Sequence, residues 1–342
     1  MENFLTHIQW IFSGVGVVII TGLIGWRKKK KKDGFNSKNI QVQNSNNNIQ
    51  TEGNVNINNI TTTIYKTEDL KKESPITILA NKFYQIFEEH GVSRGQIPSF
   101  IDEKFNIQYV DVADEDSIIP KINDNLLDWV SYKFRIKRSW FDATENDFWN
   151  NRLYDSVYCY KQHWTFLRLI ENLIDELNPY QYKDYIKVYF LKNFKEFKGD
   201  DTKNMGMVLI VLEVLIGKTT TGPIYKYILI RNNLRWDYWK SRQDIKRMIR
   251  IVEKLGIDND GKDLSEEEFE KISSEKIVPR NILSKFSMVT WYPYDYDGSF
   301  NDRIDESEFE QDEDFKYSLK EIDKEVFEML ERKKQEFRDK YK

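Results

Sequence analysis

The residues best suited to hold a ligand are cations and aromatic rings that alternate through positions 225–247. Aromatic rings stack on flat ligands and neighbouring cations attract anionic groups, so this combination is typical of sites for nucleotides or other anions. The same residues also fit an amphipathic helix with a solvated basic face, and we favour that interpretation. The candidate ligand-binding residues are Arg235, Trp236, Trp239, Arg242 and Lys246. The core positions of the amphipathic helix would be Trp239, Ile245, Met248, Ile249 and Val252.

A thiol and an imidazole with helical spacing form a second candidate site. Cys159 and His163 are four residues apart, so one helix face could present both, as nucleophilic catalysis or metal binding requires. The sequence has no second Cys, and His7 and His90 lie in distant segments. We therefore expect a buried Cys and a structural His. The sequence identifies no catalytic residue, no metal ligand and no cofactor.

A third pattern resembles a calcium-binding loop. Asp258 and Asp260 have the spacing of such a loop, but its first position would be Gly256, which has no side-chain ligand. A polar turn followed by a capping box at Ser265 and Glu268 explains the same residues and predicts that a helix begins there.

The composition places these motifs in a largely folded chain. The 342 residues include 9 Trp, 19 Tyr and 21 Phe. This is enough core material for about two domains and excludes bulk disorder. The single Cys excludes an intramolecular disulfide framework. The net charge of -4 gives no overall attraction for nucleic acid.

An uncharged run over residues 8–26 predicts a transmembrane helix. Such a helix would span about 28 Å, which is close to the thickness of a hydrocarbon core. The positive-inside rule then predicts a single-pass signal anchor in the cell membrane, with residues 1–7 outside and the C-terminal domains in the cytoplasm. Residues 8–32 would contact the lipid bilayer. The predicted membrane-surface contacts are Arg27, Lys28, Lys29, Lys30, Lys31 and Lys32.

Residues 27–72 form a basic juxtamembrane segment followed by an Asn/Gln-rich stretch. Apolar residues alternate at Ile40 and Val42 and again at Val55 and Ile57, which favours strands that could stack into a self-associating stalk. A flexible polar tether is the alternative, and we favour it. This polar stretch resembles those that lie between the anchor and the cytosolic domains in some bacterial membrane-bound defence and signalling proteins.

Residues 73–147 predict a small all-α bundle. The segments EEHGVSRGQIPSFIDEKFNI and LLDWVSYKFRIKRSWFDAT together resemble a degenerate Cro/repressor-type helix-turn-helix domain. That resemblance implies DNA binding through a recognition helix within residues 107–124, where Lys121 is the only cation. Residues 82–147 hold 13 Asp and Glu against 8 Lys and Arg, and this local acidity disfavours nucleic acid as a partner. The residues that match the family pattern are Gly91, Val92, Ser93, Gln96, Ile97, Leu126, Leu127, Phe134, Ile136, Trp140 and Phe141.

Residues 148–299 predict an α+β domain with an antiparallel sheet. A helix over 163–177 is followed by three runs rich in β-forming residues and by a long helix that ends at Gly256. This order resembles a PAS- or GAF-like sensory domain, in which a sheet and a helix enclose a pocket. Residues 300–342 predict an acidic linker and a charged amphipathic C-terminal helix, which would dock on the second domain or form a short coiled coil.

The predicted fold class is therefore α+β, with a transmembrane helix, a polar linker, a helix-turn-helix-like bundle and an antiparallel-sheet domain in that order. This organisation suggests a membrane-anchored cytoplasmic regulator that binds a ligand or a protein partner, or forms a homo-oligomer. The first alternative is a membrane-associated defence effector or enzyme, such as a nuclease or a nucleotide-responsive protein. The second alternative is a membrane-tethered transcriptional regulator. The sequence contains no intact catalytic motif that would favour the enzyme alternative.

Overall fold

A computed structural model describes six segments of the chain, and all of them lie within the compact unit Leu70–Lys342. The described residues are 74–143, 152–159, 162–193, 206–285, 289–298 and 313–340, without the side chains of 231–233. The predicted anchor, the basic segment after it and the Asn/Gln-rich stretch lie outside these residues. The division into domains at 73–147 and 148–299 stays a prediction.

The described α-helices surround a single sheet. The helices are α1 Pro75–Glu89, α2 Ile97–Phe100, α3 Glu115–Ile118, α4 Asp124–Phe134, α5 Arg138–Asp142, α6 His163–Glu176, α7 Trp239–Leu255, α8 Glu266–Ser273, α9 Arg280–Leu283 and α10 Glu313–Lys340. Local signals fix several of their ends. Ser74 caps α1 and Pro75 occupies its first turn. The predicted capping box at Ser265 and Glu268 is confirmed at the start of α8.

The sheet has four strands in the order β3-β2-β1-β4. The strands are β1 Ile186–Lys192, β2 Met207–Thr219, β3 Gly222–Arg235 and β4 Asp258–Asp263. The pairs β1–β2 and β2–β3 are antiparallel, whereas β4 runs parallel to β1 at the edge of the sheet. Since β3 and β4 lie at opposite edges, the chain between them has to cross the sheet, and α7 makes that crossing.

Helices cover both faces of the sheet. Along β2, Ile210 and Leu212 belong to a core that also contains residues of α6, α7 and α10. Leu209 and Val211 belong to a second core with residues of α1, α4, α8 and α9. A strand buried on both faces reads as an unbroken apolar run, which explains the sequence MVLIVL at the start of β2.

The predicted antiparallel sheet is wrong, because β4 pairs in parallel with β1 from Asp258 to Asp263. The sequence of this segment, DNDGKD, has no apolar alternation and therefore predicts a polar turn. The strand is stable at this edge because its charges are paired across the sheet. The Lys187 amine lies 2.9 Å from an Asp258 oxygen and 3.0 Å from an Asp260 oxygen.

The single-pass membrane anchor is the second correction to the predicted fold class. Among the residues that the structure describes, no helix is both long and apolar enough to cross a bilayer. The longest run is α10 with 28 residues, and charged side chains occur along its whole length. The run over residues 8–26 lies outside the described residues, and the cell-membrane localisation stays a prediction.

The C-terminal helix docks on the domain, as one of the two predicted alternatives requires. The apolar stripe of α10, including Leu319, Ile322 and Val326, is buried in the core that α6 and α7 share. An ion pair stabilises this contact: one guanidinium nitrogen of Arg250 on α7 lies 2.7 Å from an Asp323 oxygen of α10. The charged C-terminal helix is thereby confirmed.

We expect Gly261→Ala to destabilise the edge of the sheet. A Cβ at this position of β4 would collide with the ring and the carbonyl oxygen of Trp291, which forms an antiparallel bridge with Gly261. Overpacking of this kind costs about 1–3 kcal/mol of unfolding free energy, which urea denaturation would measure. Gly95→Ala is the matched control because its Cβ would meet no atom within 4 Å. Equal losses in the two variants would contradict this account of the edge.

Candidate functional site

A cavity of about 660 Å³ opens between the chain that follows α1 and one corner of the sheet. One wall is the chain that leaves α1, which includes Gly91 and Arg94. The second wall is the β2–β3 hairpin, and the third is α9, which supplies Arg280. Strand residues line the remainder, among them Glu213 and Tyr227. Segments far apart in the sequence therefore meet at this cavity.

Glu213 lies within a row of polar side chains that crosses the sheet. In register, Glu213 on β2 stands opposite Tyr227 on β3 and opposite Lys187 on β1, and Lys187 stands opposite Asp258 on β4. The Tyr227 hydroxyl donates a hydrogen bond to Glu213 Oε2 at 3.0 Å. The Tyr189 hydroxyl donates to Oε1 at 3.3 Å. Two of the four lone-pair sites of the carboxylate are thus occupied, and two can accept from a ligand.

Burial controls the protonation of this group. Desolvation raises the pKa of Glu213 above its ordinary value of 4.5, against the opposing effects of the two tyrosine hydrogen bonds and of the nearby cations Lys187 and Arg280. Burial and the Glu213 charge also raise the pKa of Tyr189 and Tyr227 well above the usual value for a phenol. Both hydroxyls therefore stay protonated and keep donating to the carboxylate.

Arg280 supplies a positive charge to the same cavity. Its guanidinium lies against the backbone of Gly91, where a Cβ would stand only 2.8 Å from Arg280 Cζ. Within the described ranges, the Arg280 side chain makes no ion pair and no hydrogen bond. Arg94 differs in this respect, because its guanidinium lies 3.0 Å from both Glu88 and Glu115. Arg280 is thus available to an anionic ligand.

His90 supports the floor of the cavity from the helical side. Its Nδ1 lies 2.7 Å from the Ile86 carbonyl oxygen, which can only accept, so this nitrogen carries the proton. The Tyr154 hydroxyl then donates to Nε2 at 3.4 Å. Burial lowers the pKa of His90 to about 4, so the ring is neutral near pH 7. The imidazole centre lies 6.0 Å from the Tyr227 ring centre and helps to fix that ring.

The residues predicted from the sequence to bind a ligand lie elsewhere, at the end of β3 and the start of α7. Buried are Trp236, Arg242 and Lys246, and partly exposed are Arg235 and Trp239. The structure brings Arg242 and Trp236 together, because Arg242 Nη1 donates to the Trp236 carbonyl oxygen at 2.8 Å. Arg235 forms an ion pair with Asp237. None of the five lines the 660 Å³ cavity, and their binding role stays a prediction.

The amphipathic interpretation of α7 is correct for its apolar positions except Trp239, which is partly exposed, and wrong for the basic residues Arg242 and Lys246. Ile245, Met248, Ile249 and Val252 are fully buried as expected. Arg242 and Lys246 are each only 1% exposed, so they do not form a solvated face. Both side chains have polar or charged partners, as buried cations require.

The Cys159 thiol is buried, as expected, and the His163 side chain is mostly buried. Burial, with the Asp244 charge adding to it, raises the pKa of the Cys159 thiol to about 12. A thiol with so high a pKa is a poor nucleophile near pH 7. Burial lowers the pKa of His163 to about 4, and its Nδ1 lies 3.9 Å from an Asp244 oxygen. Among the described residues, no group of three or more His, Cys, Asp or Glu side chains could hold a metal ion.

Sequence reasoning missed the cavity residues, although one signal was present. Glu213 is the only charged residue in the strand run MVLIVLEVLI, and a lone carboxylate in a doubly covered strand needs buried partners. Tyr189 and Tyr227 lie in the neighbouring strand runs and are those partners. Arg280 gives no comparable signal, because its place depends on how α9 packs against Gly91.

We expect Glu213 to make folding stability depend on pH. The folded protein keeps the Glu213 proton to higher pH than the unfolded chain, so this contribution is lost as pH rises from 4.5 through the raised pKa. Each unit of the pKa difference corresponds to about 1.4 kcal/mol. Glu213→Gln does not titrate, so urea unfolding should show the variant gaining stability relative to the wild type over this range. Tyr227→Phe removes a bond that lowers the pKa and should extend the loss to higher pH.

A stability difference between wild type and Glu213→Gln that stays constant from pH 4.5 to neutrality would contradict the raised pKa. The comparison of the two proteins also removes the opposing contribution of His90. Because burial lowers the pKa of His90, its contribution to stability is lost as pH falls from 6.5 towards 4 in both proteins alike.

Comparison with known proteins finds no match to this chain: no family model matches it, and no curated protein or solved structure is significantly similar to it. The resemblances to helix-turn-helix and to PAS- or GAF-like domains stay predictions.

Proposed function

We propose that this protein is a regulator that binds a small polar molecule in the 660 Å³ cavity. The ligand carries an anionic group, such as a carboxylate or a phosphate, together with a hydrogen-bond donor. The observation that carries this proposal is the Arg280 guanidinium, which makes no ion pair among the described residues and lines the same cavity as Glu213.

The two charged groups have complementary tasks in this proposal. Arg280 presents donors to the ligand anion, and a hydrogen bond to a charged group contributes about 1.5–3 kcal/mol. Glu213 accepts from an amine or hydroxyl of the ligand, with its orientation fixed by the tyrosine hydroxyls. The cavity volume lies in the range that is usual for small-molecule sites, which is about 300–1,000 Å³.

The walls of the cavity suggest how binding would be transmitted. The chain after α1 is joined to the β2–β3 hairpin by Gln96, whose amide lies 2.8 Å from the Thr220 hydroxyl and 3.2 Å from that of Thr221. These polar contacts are exposed and therefore weak individually. A ligand held between Arg280 and Glu213 would join α9, whose Arg280 packs against Gly91, to strand β2, and so favour one arrangement of the chain after α1 on the sheet.

We expect native mass spectrometry to detect the ligand on the full-length protein after incubation with the small-molecule fraction of a cell extract. The wild type should retain an acidic compound that dissociates on denaturation. Arg280→Gln and Glu213→Gln should each lower the affinity for this compound by at least about tenfold, since each removes a charged hydrogen-bond partner. The bound mass would also identify the chemical class of the ligand.

Arg168→Gln on α6 is the matched control, because Arg168 is exposed and does not line this cavity. The control variant should retain the compound at the wild-type level. Unfolding curves should confirm that Arg280→Gln is folded, as expected for a side chain without an ion pair. The proposal fails if the wild type retains no compound, or if Arg280→Gln retains it as well as Arg168→Gln does.

A further inference from the structure

Two further cavities lie where α4 and the end of α6 meet the strands β2 and β3. One cavity has a volume of about 640 Å³ and the other about 420 Å³. Both are lined by Tyr132, Glu176 and Lys226, so the two cavities are adjacent at these three side chains. None of these three residues lines the cavity that contains Glu213. We call this feature the basic groove, and its cations are Lys133, Arg135, Lys137, Arg138, Lys218 and Lys226.

The carboxylates of the basic groove are already engaged by some of its cations. Glu176 lies 2.9 Å from the Lys226 amine. Asp155 lies 2.8 Å from the Lys137 amine. The remaining carboxylate, Asp128, lies 3.2 Å from the Arg138 guanidinium.

Three cations of the groove are left without a counter-charge. In the part of the chain that the structure describes, Lys133, Arg135 and Lys218 make no ion pair. They come from different elements, namely α4, its C-terminal cap and β2. Lys133 and Lys218 line the larger cavity and Arg135 lines the smaller one, so each cavity carries positive charge that no ion pair among the described residues neutralises.

The position of Lys133 is electrostatically costly. Its amine is partly buried, 5.7 Å from the centre of the Phe100 ring. Burial, and after it the charge of Lys226, lowers the pKa of Lys133. Two lysines on one cavity wall repel each other in a medium that screens less than water does. An anion that contacts the Lys133 amine would offset this repulsion.

Arg135 is also held in a backbone conformation that other residue types adopt more easily. It caps α4 with φ at +56°, in the left-handed region that glycine usually occupies at a helix end. Its backbone N–H bonds to Ser131 and Tyr132 carbonyls and so fixes where its side chain leaves the helix. A cation is thus placed beside the groove at a conformational cost.

Tyr132 adds an aromatic surface between these charges. The side chain is 71% exposed although it lines both cavities, so its ring is accessible along the groove. Exposed aromatic rings flanked by cations bind nucleobases by stacking, while the cations bind the phosphates. A phosphate group carries about -1.5 to -2 charges and three strong acceptor oxygens, so it matches clustered cations better than one carboxylate does.

We propose that the basic groove binds a nucleoside polyphosphate, with its base on Tyr132 and its phosphates at Lys133, Arg135 and Lys218. This site is separate from the cavity of Arg280 and Glu213 and does not depend on the function proposed for that cavity. Only three cations of the groove lack an ion pair among the described residues, which favours a compact ligand over a long acidic peptide.

Calorimetric titration of the full-length protein with ATP and with pyrophosphate tests this assignment. The wild type should bind both, and its affinity should fall as salt concentration rises. Lys133→Gln and Lys218→Gln should each weaken both ligands by about tenfold, because each removes a charged donor. Tyr132→Ala should weaken ATP by about tenfold and leave pyrophosphate unchanged, since only ATP has a base to stack.

Lys320→Gln is the matched control, because it removes an exposed lysine of α10 that does not line the groove. Both Lys320→Gln and Arg280→Gln should leave ATP binding unchanged. If Lys133→Gln fails to fold, the exposed residues Lys218 and Arg135 provide the same test as Gln variants. The assignment is overturned if the wild type binds neither ligand, if Lys320→Gln weakens ATP as much as Lys218→Gln does, or if polyglutamate displaces ATP at equal concentration.

Discussion

The burial of both faces of β2 is the constraint on which the rest of the structure depends. A strand covered by helices on both sides can carry a polar group only if that group finds partners inside the protein. Most of β2 meets this condition with apolar side chains that alternate between two cores. Glu213 is the exception, and its neighbours in the register are Tyr227 and Lys187. The cross-strand polar row is therefore a consequence of one carboxylate in a doubly covered strand.

The same constraint explains why a cavity occurs beside this carboxylate. A row of tyrosine and carboxylate groups cannot be covered by a close-packed apolar helix face without leaving lone pairs unpaired. Over this row the structure places the irregular chain that follows α1, with Gly91 allowing the Arg280 guanidinium to approach the backbone. The polar floor and the loose cover therefore have one origin, and together they form a site in which a ligand can complete the hydrogen bonding.

Local signals predicted the positions of several helices, whereas the sheet edge and the cavity depend on pairings that no local pattern contains. The ends of α6 and α7 and the start of α8 follow from periodicity and capping. The polar strand β4 was missed because its stability comes from β1, about 70 residues earlier in the chain. The solvated basic face predicted for α7 rested on helical periodicity, which cannot show that other segments bury Arg242 and Lys246.

The negative net charge of residues 82–147 is an incomplete guide to whether this segment can bind an anion, and the structure shows the physical reason. The acidic residues of this segment are largely used in local structure. Asp111 lies 3.2 Å from the Lys121 amine, and Asp114 caps α3 by accepting from the Ser117 N–H at 2.8 Å. The field at a site depends on the charges that remain uncompensated near it, because paired charges cancel over a few ångströms. A segment with a negative total can therefore present a positive groove, where Lys133 and Arg135 make no ion pair in the described chain and the nearby carboxylates are already paired.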